Sequence, residues 1–306
     1  MVNAKIIAEE NSDNGIAKVF ALWQQSGEPE DIRFSFYRKA VSRCIDAIKK
    51  KSNFPLDGFP VVISGMACST LGMMDLPYTE VPFSADGSDL VTKLVAADKD
   101  FKHDIVFISG ARTESDAMRG EETQLAGCFN DQEEQLFVFP GTHSKHVTVK
   151  NGKAVDIKTY MTGEFFELLS AKSILAASVE KSADMSNEKS REAFEAGIDE
   201  GLRSNLLHSS FKVRTNNLFG KFAKPENYHY LSGLLISTEI KEIAEADQDI
   251  TLVSNSYMRS HYEVACNRLL DKSSRLNIQN ADEAMVSGQL KVLRRLLKEK
   301  RFSDVR

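Results

Sequence analysis

Between Asp104 and Val149 the chain twice runs a short apolar segment into an abrupt stop at small and charged residues, and this pattern constrains the fold more than any other stretch. Ile105 to Ser109 is too short for a helix and predicts a buried strand. It leads into a polar turn and a helix start crowded with Asp116, Arg119, Glu121, Glu122 and Gln124. Leu136 to Phe139 predicts a second strand, which breaks at Pro140-Gly141-Thr142-His143-Ser144-Lys145. The chain then resumes as a hairpin, with Val147 and Val149 on one arm and Val155 and Ile157 on the other. Open α/β sheets end in this way at their ligand crevice, and two endings roughly 30 residues apart predict one site supplied by both.

The rest of the chain follows an α/β pattern. Residues 4 to 8 predict a brief strand, and Asp13 or Asn14 could cap the helix that carries Ile16, Val19, Phe20 and Trp23. A second helix presents Tyr37, Val41, Cys44, Ile45 and Ile48 on one face, so both helices are expected on a sheet face. Val61 to Ser64 predicts a buried strand closing on Gly65-Met66-Ala67-Cys68, and Met74 to Phe83 an extended connector with two prolines. Beyond the central stretch, helices are predicted after Thr162-Gly163-Glu164, from Phe194, around Tyr230 to Ile240, from Tyr257 and from Asp282, with residues 182 to 192 as a loop. Ile250 to Val253 predicts a further buried strand, ending at Ser254-Asn255-Ser256.

A length of 306 residues favours two domains. The net charge of -5 argues against a nucleic-acid surface, which needs a clustered basic excess. Cys44, Cys68, Cys128 and Cys266 are dispersed with no C-x-x-C pair, as in reduced thiols of a cytoplasmic protein. No apolar run reaches membrane-spanning length, so neither a membrane nor a nucleic-acid partner is expected.

Several residues carry candidate chemistry, each beside a plainer alternative. Asp116 could accept the proton of an attacking hydroxyl, or simply cap a helix. Arg119, Glu121 and Glu122 could meet a substrate carboxylate and hydroxyls, or form a solvated first turn. Gly65 and Met66 could allow close approach of a ligand, or make a tight βα turn. Gly141, Thr142, Ser144 and Lys145 offer amides, hydroxyls and an ammonium to a phosphate, or form a polar turn. His143 and His146 lack a nearby third ligand, so no metal site is assigned.

Taken together and in this order, Ser64-Gly65-Met66, Met118-Arg119-Gly120-Glu121-Glu122-Thr123-Gln124, Pro140-Gly141-Thr142-His143-Ser144-Lys145, Met161-Thr162-Gly163-Glu164 and Leu231-Ser232-Gly233-Leu234-Leu235-Ile236 resemble the 2-dehydro-3-deoxygalactonokinase family. The resemblance implies a two-domain actin/hexokinase-like (ribonuclease H-like) α/β fold. A sugar-binding domain would span 1-130 and a nucleotide-binding domain 131-306. It implies transfer of the ATP γ-phosphate, with Mg²⁺, to the C6 hydroxyl of 2-dehydro-3-deoxy-D-galactonate in the cytoplasm. Asp116 would then be the general base, with Gly65, Met66, Arg119, Glu121 and Glu122 at the sugar acid. Gly141, Thr142, Ser144 and Lys145 would serve the phosphates, and Gly233, Ser254 and Asn255 the adenine.

Two departures from the family pattern are expected to matter. The first residues contain no Asp-Trp-Gly-Thr-type phosphate loop, so the N-terminal sheet is expected to lack a hairpin and to expose an edge that admits pairing, a homodimer among the outcomes. The nucleotide-side loop, usually glycine-rich, reads Ser254-Asn255-Ser256. A catalytically impaired sugar-acid binding homologue, or one piece of a split kinase, therefore stands beside the kinase reading.

Overall fold

The computed structural model describes residues 6–130, 134–182, 185–245, 248–270 and 276–299. In chain order these form α1 (Ile16–Ser26), α2 (Arg33–Ser52), β1 (Val61–Ile63), β2 (Thr79–Glu80), β3 (Phe83–Ser84), β4 (Thr92–Val95), β5 (Ile105–Ile108), β6 (Ala111–Arg112), β7 (Ala117–Met118) and α3 (Glu121–Cys128). Then come β8 (Glu134–Phe139), β9 (Ser144–Lys150), β10 (Lys153–Tyr160), α4 (Thr162–Lys172), α5 (Glu188–Arg203), α6 (Leu206–Leu218), α7 (Lys224–Ile240), β11 (Asp249–Ser254), α8 (Ser256–Leu269), β12 (Leu276–Asn280) and α9 (Ala281–Lys298). Among the described residues no helix is long and apolar enough to cross a membrane.

Two compact units share the chain. The first holds Met1–Glu133, Lys150–Ile157 and Asp282–Arg306; the second holds Glu134–Val149 and Lys158–Ala281. The last helix thus joins the first unit by its contacts, whereas the sequence ran the second domain to residue 306. In the first unit β1 pairs in parallel with β5, and β4 runs antiparallel on its other side. Ile105 and Phe107 pack with Val19, Tyr37, Met73 and Leu76, so α1 and α2 lie on a sheet face as expected. A small sheet of β2, β6 and β7 holds the turn in which Asp116 sits. Helix α9 buries Ala284, Gly288, Val292 and Leu296, a stripe at four-residue spacing, and Lys291 Nζ donates to the Ala126 carbonyl in the last turn of α3 at 2.7 Å.

In the second unit β8, β11 and β12 are parallel neighbours, with Leu252 opposite Val138 and Ile278. Parallel pairing explains why β11 is buried from Ile250 to Ser254 and apolar there at Ile250, Leu252 and Val253, since both faces are covered. Strand β9 adjoins β8 in this sheet. In the first unit, Asn151 and Gly152 both take positive φ, the turn that an Asn-Gly pair favours. Helices α5 and α7 cross closely above this sheet.

Several expectations need correction. Residues 6 to 10 are not in a strand, and Ile6 and Ile7 are exposed; residues 4 and 5 of that expectation lie outside the described residues. The predicted loop at 182 to 192 becomes helical from Glu188, because Asn187 Oδ1 caps α5 by accepting from Lys189 N. Helix α6 and strands β4 and β12 were not expected.

Candidate active site

The predicted site residues divide between the units. Gly65, Met66, Asp116, Arg119, Glu121 and Glu122 lie in the first; Gly141, Thr142, Ser144, Lys145, Gly233, Ser254 and Asn255 lie in the second.

In the first unit Arg119 is the best-defined group. Its guanidinium lies over the Tyr78 ring, 4.1 Å from the centroid, and Nη1 donates to the Cys68 carbonyl. Its Nε is buried with no hydrogen-bond partner among the described residues. A buried unpaired guanidinium nitrogen is costly unless something else supplies an acceptor. Tyr78 went unnoticed in the sequence, where only its place beside Pro77 in an extended connector marked it. The backbone of Gly65 comes beside Arg119 and Gly120, so that a Cβ on Gly65 would stand 3.8 Å from the Arg119 carbonyl. Met66 is exposed on the same short turn. Ser64 Oγ accepts from Gln289 Nε2 at 3.0 Å and donates to Met285 Sδ at 3.2 Å, which ties this turn to α9.

Asp116 is not a helix cap. It closes the β6–β7 turn, where its backbone N–H donates to Thr113 Oγ1 and its carbonyl accepts from Thr113 N, both at 2.8 Å. Helix α3 begins five residues later, after Gly120 at φ 120°. Glycine brings no capping side chain, and the acids curl back instead. Glu121 Oε2 accepts from Arg119 N at 3.0 Å, and Glu122 Oε2 accepts from Gly120 N at 2.7 Å.

Glu122, expected among the substrate ligands, is fully buried, with Oε1 also bonded to Thr123 Oγ1. Burial, and then the neighbouring Glu121 carboxylate, push its carboxyl up to about 8. Its oxygens are held at the helix start, and its side chain faces the interior of the unit. Burial likewise pushes the Cys68 thiol up to about 12.

In the second unit the carboxyl ends of β8 and β11 lie side by side, which brings the Gly141 turn and Ser254-Asn255 to one sheet end. Glu164 N, in the first turn of α4, donates to the Thr142 carbonyl at 3.0 Å. Gly163 permits this contact, because a Cβ there would fall 2.6 Å from the Gly141 carbonyl and 2.7 Å from Thr142 Cα. Thr142 is exposed, and exposed His143 pairs with Glu164 at 2.5 Å. Lys145 Nζ donates to the His143 carbonyl at 3.1 Å. Asn255 caps α8 by accepting from Met258 N at 3.1 Å, and buried Ser254 Oγ bonds the Asn255 carbonyl.

Two assignments in this unit are corrected. Ser144 is fully buried, its hydroxyl bonded to Tyr262 at 3.0 Å and accepting from Gly141 N at 3.4 Å, so it holds the turn from beneath. Gly233 lies in the α5–α7 crossing, where a Cβ would come within 2.2 Å of the Phe194 carbonyl; the space a purine would need is filled by backbone. Beside it, Ser232 helps line an apolar recess with Thr162, Gly163, Phe166, Tyr228, Leu235, Ile236, Met258 and His261. Tyr262 and Glu239, both buried and bonded to each other at 2.7 Å, also escaped the sequence reading. The signal for Glu239 was an acid four and eight residues after Leu235 and Leu231, on an otherwise apolar helix face.

The family model described as 2-keto-3-deoxy-galactonokinase matches residues 2–292. The chain belongs to this family. It is 33% identical to the 2-dehydro-3-deoxygalactonokinase of Escherichia coli (strain K12) over 216 residues, which cover 67% of this chain and 70% of that one. A Rhizobium meliloti (strain 1021) protein of the same assignment is 29% identical over 242 residues, covering 75% and 76% of the two chains. Among solved structures, a crystal structure of a Sinorhizobium meliloti protein assigned as a 2-dehydro-3-deoxygalactonokinase superposes with a TM-score of 0.68 at 27% identity, covering 85% of each chain. The mixed α/β fold expected from the sequence is therefore that of this sugar-kinase family.

Proposed function

We propose that the chain transfers the γ-phosphate of ATP to the C6 hydroxyl of 2-dehydro-3-deoxy-D-galactonate. Family membership and the assignments of its relatives support a sugar-acid kinase. The observation that bears most on the substrate is Arg119: a guanidinium stacked on Tyr78, fixed at Nη1, with a buried Nε that has no acceptor among the described residues. Such a group suits the carboxylate of a sugar acid, which it can meet with two parallel N–H donors.

In this reading Asp116 takes the proton as the hydroxyl oxygen forms its bond to the γ-phosphorus. The bond from that phosphorus to the bridging oxygen breaks, and ADP leaves. Arg119, Glu121, Gly65 and Met66 hold the sugar acid. The Gly141–Thr142 turn, Lys145 and the first turns of α4 and α8 offer donors and positive helix ends to the phosphates. The apolar recess beside Ser232 would receive the base, a better candidate than Gly233. Among the described residues no group of three or more His, Cys, Asp or Glu gathers, so Mg²⁺ would arrive on the nucleotide phosphates, as it commonly does. Four free cysteines suit the cytoplasm, which belongs to the same proposal.

The test is ADP release from ATP with the sugar acid as acceptor, the product being located by phosphorus–proton NMR coupling. Asp116→Asn should lower kcat by about 100-fold or more. Undiminished turnover in that variant removes Asp116 from the mechanism, and a phosphate on another oxygen refutes the C6 assignment. Sugar-acid binding without any turnover by the unaltered chain would instead mark a non-catalytic homologue.

A further inference from the structure

Glu239 sits on α7 with 2% of its surface exposed and accepts hydrogen bonds from three other elements. Its Oε1 takes His146 Nε2 of β9 at 3.0 Å. Its Oε2 takes the Tyr262 hydroxyl of α8 at 2.7 Å and the Thr162 hydroxyl in the first turn of α4. Burying a carboxylate costs free energy that an apolar side chain of similar size would not, so the direction of its bonds is a more telling feature than their sum.

A carboxylate only accepts. The Tyr262 proton must therefore point at Glu239, which leaves the Tyr262 oxygen to accept from Ser144 at 3.0 Å. The Ser144 hydroxyl, its own proton spent, is then the acceptor for the Gly141 N–H at 3.4 Å. One buried charge thus fixes three donors in series and ends at the first amide of the Gly141–Thr142 turn. Through Thr162 the same carboxyl holds the first residue of α4, and Glu164 N in that same first turn donates to the Thr142 carbonyl. Tyr262 is fully buried, and burial and the Glu239 charge hold its hydroxyl well above the ordinary phenol range, so the link stays protonated.

We propose that Glu239 is a positioning residue for nucleotide binding: acting through Tyr262–Ser144 and through Thr162, it sets the orientation of the Gly141–Thr142 turn and the α4 start that receive the phosphates. The inference rests on the nucleotide reading of that turn. It adds a residue that does not touch the ligand and a direction for each proton in between.

Glu239→Leu removes the oxygen to which Tyr262 and Thr162 both donate, and so breaks the series. Tyr262→Phe leaves the carboxylate its bonds to His146 and Thr162 and severs only the step to Ser144. Both variants should weaken ADP binding by calorimetry, and raise the KM for ATP, by about tenfold, with the KM for the sugar acid within about twofold. The double variant should be no worse than Glu239→Leu alone, because the two changes interrupt one chain.

A loss of folded protein lowers kcat and leaves both KM values in place, so this split separates positioning from mere stability. ADP affinity unchanged in Tyr262→Phe overturns the proposal even where Glu239→Leu fails to fold, as does an equal rise in both KM values. If the unaltered chain binds no ADP, the nucleotide reading of the turn fails and this inference with it. If it binds ADP and the variants bind equally well, only the role given to Glu239 fails.

Discussion

Replacing Glu122 by glutamine should stabilise the protein, by an amount that grows with pH. The carboxyl is raised from 4.5 to about 8, chiefly by burial, so over that window the folded chain keeps a proton that the unfolded chain has released. For an acid raised in this way, the stabilising contribution is fully present below the unfolded value of 4.5 and is lost as pH rises through the folded value of about 8. Each pH unit inside the window removes about 1.4 kcal/mol. The loss is then roughly 3 kcal/mol at neutral pH and levels near 5 kcal/mol above the folded value. Glutamine carries no such proton. Its oxygen can accept from Gly120 N and its amide can donate to Thr123 Oγ1, which reproduces the bonding of the protonated acid.

Urea midpoints of the two proteins, taken from about pH 5 to about pH 9, measure the effect directly. The single tryptophan, Trp23, lies in the same unit as Glu122 and reports its unfolding by fluorescence. The gap between the two should open steadily with pH in favour of the variant. Parallel curves, or a variant less stable at the alkaline end, would refute the claim that Glu122 is held as a neutral buried acid.

Three other outcomes are expected. Gly233→Ala should lower the melting temperature, with a cost of about 2 kcal/mol or more, because the new Cβ meets the Phe194 carbonyl at 2.2 Å and Ile198 N at 3.1 Å and backbone cannot swing aside. Tyr78→Leu removes the ring beneath Arg119 and should raise the KM for the sugar acid about three- to thirtyfold while that for ATP holds, as loss of one part-buried cation–π contact would do. Iodoacetamide at mildly alkaline pH should leave Cys68, Cys128 and Cys266 unmodified in the folded protein and label all three in urea, as mass spectrometry would show, since burial pushes each thiol up to about 12.

The elements most legible in the sequence were those whose apolar residues share one environment. Strands β5 and β11 are buried along nearly their whole length, so an apolar run of strand length marked each. The α1 and α2 stripes appeared because both helices lean on a single core. Helix α6 was hidden because its apolar residues are split: Val213 is buried while Leu207, Phe211 and Leu218 are exposed, which blurs the 3.6-residue period. Strand β12 pairs on one side with β11 and alternates Leu276 and Ile278 with exposed polar residues, a signal five residues long and too brief to stand out. The start of α5 is polar through its first turn, and its one mark, the Asn187 cap, reads equally well as loop.

For the candidate site residues, side-chain direction was not legible in the sequence. Glu121 and Glu122 are adjacent in a helix of 3.6 residues per turn, so their side chains diverge by about 100° and cannot both face one ligand. Glu122 turns into the core, while Glu121 stays half-buried beside Arg119. Ser144 and Lys145 are both buried on β9 but point to opposite faces, as successive strand residues do: the serine goes to Tyr262 and the lysine to the His143 carbonyl at the turn. A motif of consecutive polar residues therefore sends its side chains in different directions, which their spacing in sequence does not reveal. Glu122 and Ser144 are the ones turned fully inward, where each also holds a backbone amide, Glu122 that of Gly120 and Ser144 that of Gly141.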